Sequence, residues 1–124
     1  MSESTSDKEI VVDTNALIYS IKHSVNLKYE AGKISGITQI TILECVKSEL
    51  VGLSKRNMYA LLALKEIEPL KAIPSEGGGD ECVLKYALRK QCAIITNDRG
   101  LIAIAKEKNL TVFTISGGRK LRYA

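Results

Sequence analysis

The chain has 124 residues, 45% of them hydrophobic and 26% charged, with a formal net charge of +4. That is enough chain for one domain with its own core, and no apolar run reaches the roughly 20 residues a membrane span needs. A single histidine, His23, all but excludes a His-rich metal site or a Ser–His–Asp triad, so any catalysis rests on carboxylates.

The start, "MSESTSDKE", is polar and acidic, unlike a signal peptide, and a cytoplasmic location is expected. Residues 1–8 read as a disordered N-terminal segment and 9–124 as a single domain. "EIVVD" (9–13) reads as the first strand and "ITQITI" (37–42) as the second. "LECVKSELVGL" follows as a helix with Val46, Leu50 and Leu53 on one face, then "NMYALLALKEIE" with an apolar stripe of Met58, Leu61, Leu62 and Ile67. "SEGGGD" is a flexible loop. "DECVLKYALRK" is helical, "AIIT" (93–96) is a strand, "RGLIAIAKEKN" is a helix stopped by Asn109, and "LTVFTI" (110–115) is the last strand. The tail "SGGRKLRYA" carries Arg119, Lys120 and Arg122 with no acid, and its glycines let it swing freely. It fits either a polyanion partner or a plainly solvated terminus. Alternating strands and helices imply a three-layer α/β/α architecture around a central, mostly parallel sheet. Cys45, Cys82 and Cys92 show no zinc or disulfide spacing and read as reduced core thiols.

In such a fold ligands gather at the carboxyl ends of the strands. Asp13 ends the first strand, Asp98 follows "AIIT" by two residues, Asp80 opens a helix after "GGG", and Glu49 lies beside the packing face of its helix. Four acids so placed repel one another unless a cation sits among them, and oxygen ligands without His or Cys suit Mg²⁺ or Mn²⁺. Each acid also has a plainer reading. Asp98 and Asp80 suit helix N-caps, Asp13 a turn with Thr14 and Asn15, and Glu49 a solvated helix face, with Glu44 one turn earlier as a competing ligand.

"VVDTNALIYS", "ECVKSELVGL", "GGGDECVLKYA" and "IITNDRGL" resemble, in order, the four acidic motifs of the PIN-domain endoribonucleases, and the likeness spans about residues 9–124. The resemblance implies that Asp13, Glu49, Asp80 and Asp98 are the catalytic, metal-binding acids, with Thr14, Asn15, Thr96 and Asn97 as supporting polar residues. Glu49 is preferred over Glu44 because the family's acid directly precedes a leucine, as in "SEL". The family often has a proline at the start of that helix, where this chain has Leu43. The implied chemistry is Mg²⁺- or Mn²⁺-assisted hydrolysis of RNA phosphodiesters. Glu81 would be an outer ligand or an exposed first-turn acid.

Two branches of the family compete. "HSVNLKYEAGKI" and the basic tail look like the archaeal type of small-subunit ribosome-biogenesis proteins, which implies ribosomal RNA processing. The alternative is a toxin ribonuclease of a toxin–antitoxin pair; these often carry an aromatic residue where this chain has Leu101. Either way the partners are RNA, contacted through Arg119, Lys120 and Arg122, and a ribosome-assembly or antitoxin protein. A homodimer stays open, and no membrane partner is expected. A non-cutting RNA- or protein-binding PIN scaffold would usually have lost an acid, and all four are present. Neither "GxGxxG" nor "GxxxxGK[ST]" occurs to support nucleotide binding.

Overall fold

Val11 sits at the middle of a parallel arrangement, paired with Thr41 on one side and Ile94 on the other. In the computed structural model, which describes residues 9–37, 39–117 and 119–124, these belong to the strands β1 (Glu9–Val12), β2 (Gln39–Thr41) and β3 (Ala93–Ile95). β4 (Val112–Ile115) joins β3 in parallel, and β5 (Leu121–Tyr123) joins β4 antiparallel, giving the order β2-β1-β3-β4-β5. Ile10, Val11, Val12, Ile94 and Ile95 have no measurable exposure. That explains their continuous β-branched character, since a sheet covered on both faces has no polar side. The segment 1–8, expected to be disordered, lies outside the described residues.

Among the described residues six helices flank the sheet: α1 (Thr14–Lys22), α2 (Leu27–Ser35), α3 (Glu44–Leu53), α4 (Met58–Ile67), α5 (Gly79–Lys90) and α6 (Arg99–Glu107). α1, α3 and α4 pack together, while α5 packs on β1, β3 and α6, and α6 lies on β4. The result is a three-layer α/β/α fold. Among the described residues no helix is long and apolar enough to cross a membrane.

The structure differs from the sequence reading at several places. Between the first two strands, where the sequence reading names no element, the structure has α1 and α2. On α4 the buried side is Ala60, Ala63 and Ile67, whereas Met58, Leu61 and Leu62 are exposed. Small residues on the inner face let α4 approach α1 and α3 closely, and that turns the larger side chains outward. The tail does not swing freely. Leu121 is buried, the Tyr123 ring lies 4.8 Å from that of Phe113, and the Ser116 amide donates to the Lys120 carbonyl.

Cys45 and Cys82 are not free thiols either. They form a disulfide across 37 residues of sequence, because α3 and α5 run close enough to bring their Cα atoms within 6.7 Å. Cys92 matches the expectation: it is a buried free thiol, and burial pushes its ionisation up to about 12.

Candidate metal-dependent active site

β1 and β3 are adjacent in the sheet, but the chain leaves them in different directions: β1 is followed by α1 and β3 by α6. In a 2-1-3-4-5 order this is the switch point, where a crevice opens beyond the strand ends. Asp13 stands there. It is the N-cap of α1 rather than the last strand residue, with Oδ1 accepting from the Thr14 amide at 2.9 Å. Its own amide still donates to the Ile95 carbonyl, so strand and helix meet at this one residue. Oδ2 accepts from Thr96 Oγ1 at 2.8 Å. Asp13 is only 3% exposed.

Thr14 turns the other way and donates from Oγ1 to Glu49 Oε1 at 2.8 Å. α3 therefore presents Glu49 to the residue next to Asp13. Glu44, the competing acid, is exposed at the first position of α3, where its amide donates to the Ile73 carbonyl. Leu43, where the family often has proline, is the N-cap of α3 and makes no side-chain cap.

Asp98 is the N-cap of α6, its Oδ1 accepting from the Leu101 amide at 2.9 Å, so its cap reading and its site position coexist. Its own amide donates to Thr96 Oγ1 at 3.1 Å. Thr96 thus ties two of the acids together from full burial. Gly100 completes the turn, since a Cβ there would stand 3.2 Å from Asp98 Oδ1. Asp80 does not cap α5. Gly78 holds that place, and Asp80 is exposed in the first turn beside Glu81.

The two asparagines brace the loops. Asn15 Oδ1 accepts from the Asn97 amide at 3.2 Å, linking the β1 and β3 ends. Asn97 Oδ1 accepts from the Ile115 amide and from Thr114 Oγ1, both at 2.9 Å, which fastens the β3 end to β4. Thr114 is a supporting residue that the sequence reading missed, and nothing in the sequence marks it. Arg119 and Lys120 lie in the turn after β4, whose start at Ile115 is the point Asn97 holds. Arg122 lies within β5 opposite Thr114.

Electrostatics links the acids. Burial raises the Asp13 carboxyl above its ordinary value, and the charges of Asp80 and Glu49 push it the same way, against the hydrogen bonds from Thr96 and Thr14. Asp80 is raised by partial burial and then by the charges of Asp98 and Glu49. Among the described residues none of the four is in a salt bridge. As placed, no three His, Cys, Asp or Glu side chains among those residues converge on one point. The donor set nevertheless fits a hard divalent ion. It is all oxygen, it lacks a cationic partner, and every carboxylate oxygen named keeps a free lone pair beyond its one hydrogen bond.

The match to the PIN domain family model covers residues 10–117. The chain belongs to the PIN domain family. It is similar to the ribonuclease VapC4 of Methanocaldococcus jannaschii, with 33% identity over 86% of this chain and 89% of that protein. It is also similar to the ribonuclease VapC9 of Archaeoglobus fulgidus, with 31% identity over 82% of this chain and 78% of that one. Among solved structures, the PIN domain endonuclease Utp24 superposes with a TM-score of 0.77 over 95% of this chain and 92% of its own. At 19% identity that likeness speaks for the fold alone.

Proposed function

We propose that residues 9–124 form a single nuclease domain that hydrolyses RNA phosphodiester bonds with the help of Mg²⁺ or Mn²⁺. One observation carries this reading. A buried carboxylate, Asp13, stands at the switch point with Glu49 and Asp80 near enough to oppose its ionisation, Asp98 acts on Asp80 in the same way, and no salt bridge relieves them among the described residues. Asp13, Asp80 and Asp98 would hold the ion, and Glu49 would ligate it or orient a water. The ion supplies Lewis acidity and a water acidic enough to attack phosphorus near neutral pH. Thr96 aims Asp13 and Thr14 aims Glu49, while Asn15 and Asn97 keep the two strand ends in register. Arg119, Lys120 and Arg122 would hold the phosphates that the carboxylates repel.

Of the two branches, the toxin-type reading is now the better supported. Both curated relatives are VapC ribonucleases at above 30% identity, and they favour an antitoxin protein as partner. The ribosomal RNA reading keeps only the basic turn and strand at Arg119, Lys120 and Arg122.

Incubating the pure protein with a small-subunit ribosomal RNA precursor, transfer RNA and messenger RNA, with Mn²⁺ or with chelator, tests both levels. Mn²⁺-dependent cleavage that chelator abolishes is expected, and its absence on every RNA would overturn the nuclease reading. Expression of the chain alone should arrest growth of a host, and the Asp13→Asn variant should not. Unimpaired growth together with selective cutting of the ribosomal precursor would restore the ribosomal branch.

A further inference from the structure

The start of α5 is built weakly for an element that carries a candidate ligand. Gly77, Gly78 and Gly79 precede Asp80, two of them at positive φ (79° and 56°), and Gly78 caps the helix without a side-chain hydrogen bond. Glycine offers the unfolded loop more conformations than any other residue, and a helix without a side-chain cap leaves its first amides to water. Asp80 is exposed, and no hydrogen bond from another element steadies it among the described residues. Nothing in the loop itself fixes where this carboxylate stands.

Cys45 supplies what the loop lacks, and it does so at both ends. Its amide donates to Ser75 Oγ at 3.1 Å, just before the loop, and its sulfur is bonded to Cys82, just after Asp80. Residues 76–81 are therefore a short span pinned at each end to one residue of α3. That residue stands four positions before Glu49, on the same side of the helix. Cys82 is 1% exposed, so the far anchor is set in the core.

We propose that the Cys45–Cys82 disulfide is a positioning device of the metal site, holding the first turn of α5 so that Asp80 faces Glu49 and Asp98. The proposal rests on the metal reading of those acids. It assigns Cys45 and Cys82 no contact with substrate or ion. Their effect on the ion passes through Asp80.

The test compares three forms of the full chain: the oxidised protein, the protein reduced with a water-soluble phosphine, and the C45S/C82S variant. In the reduction phosphorus gives two electrons to the S–S bond and takes an oxygen from water. The water's two protons complete the two thiols, and the other product is the phosphine oxide. Mn²⁺ affinity is measured by calorimetry, amide exchange is followed at residues 79–83, and a thermal melt establishes that each form is folded. The oxidised protein should bind Mn²⁺ about 10-fold or more tightly than either bridge-free form, in line with the loss seen when a ligand's support is removed. Exchange at the start of α5 should be faster without the bridge.

In the Asp80→Asn background the affinity difference should vanish, because nothing is left for the bridge to position. Equal affinities in all three forms would overturn the proposal and leave the metal reading standing. So would an undiminished difference in the Asp80→Asn background, which would mean that the bridge acts only through general stability. Failure of every form to bind Mn²⁺ would overturn the metal reading and the proposal with it. Should C45S/C82S not fold, the phosphine-reduced protein decides alone.

Discussion

Asp13 does three jobs at one position: its amide extends the strand ladder, its side chain caps a helix, and its carboxylate faces the crevice. Asp13→Asn keeps an oxygen for the Thr14 amide and removes a desolvated charge. The expected variant is folded, at least as stable as the parent without metal, and unable to cut RNA; denaturation and cleavage assays check both halves. The pH dependence follows from the same burial. A carboxyl held above its ordinary 3.8 favours the protonated form in the folded state. Its contribution to stability is complete below that value and is lost as pH rises through the higher folded value. The metal-free parent should therefore lose stability relative to Asp13→Asn as pH climbs from about 4, while its Mn²⁺ affinity rises as the proton leaves. A constant stability difference across that range would contradict the burial argument. Thr96→Val removes the donor to Asp13 Oδ2 and the acceptor for the Asp98 amide. Mn²⁺ binding should weaken about 10- to 100-fold, as for other supports of metal ligands, and titration would show it. At this scale the sequence was informative, because acids after apolar runs are visible in a string of letters. Which oxygen faces which hydroxyl is not. The pairing of Thr14 with Glu49 spans 35 residues and depends on how α3 is laid against α1.

Among elements, β1 to β4 were legible within about two residues because covered strands write continuous β-branched runs, whereas β5 was read as a swinging tail. The face of α3 was read correctly at Val46 and Leu50, but that of α4 was not. The alternation of alanine with larger residues on α4 gives two candidate stripes, and the closeness of α1 and α3 chooses the one with Ala60 and Ala63. The disulfide left no trace for a similar reason: Cys45 and Cys82 become neighbours only once α3 and α5 are side by side. In the chain-entropy account a cross-link over 37 residues stabilises by about 4 kcal/mol, acting on the unfolded chain. Urea denaturation of C45S/C82S should show a loss on that order, separate from any effect on metal binding. Glu44→Gln should leave Mn²⁺ affinity unchanged, whereas Glu49→Gln should weaken it. Weaker binding for Glu44→Gln alone would move the second ligand one turn back.

For the molecule as a whole, the basic end belongs to the sheet. Deleting residues 119–124 removes the β5 ladder and the burial of Leu121, for which a loss of about 2–3 kcal/mol is expected. Truncation therefore confuses stability with binding. Replacing Arg119, Lys120 and Arg122 by Ala keeps the strand and removes only charge. For every RNA phosphate that these side chains no longer neutralise, the slope of log affinity against log salt on single-stranded RNA should flatten by about 0.7. An unchanged slope would separate these residues from RNA. A cleft of about 780 Å³ opens elsewhere, between α1, α2, β2 and α4, and none of the four acids lines it. The position of the acids follows from sheet order, not from that cleft.

The mutual repulsion of those carboxylates also bears on descent. In the absence of metal, Glu49 and Asp80 make Asp13 costlier to ionise and Glu49 does the same to Asp80, so on the proposed reading losing Glu49 would ease the folded state at the moment it ended the chemistry. If these acids cut RNA as proposed, selection on cleavage is what would keep Glu49 in the set. Once a duplicated copy is freed from it, drift toward an inert binding module would run downhill in free energy at such a position.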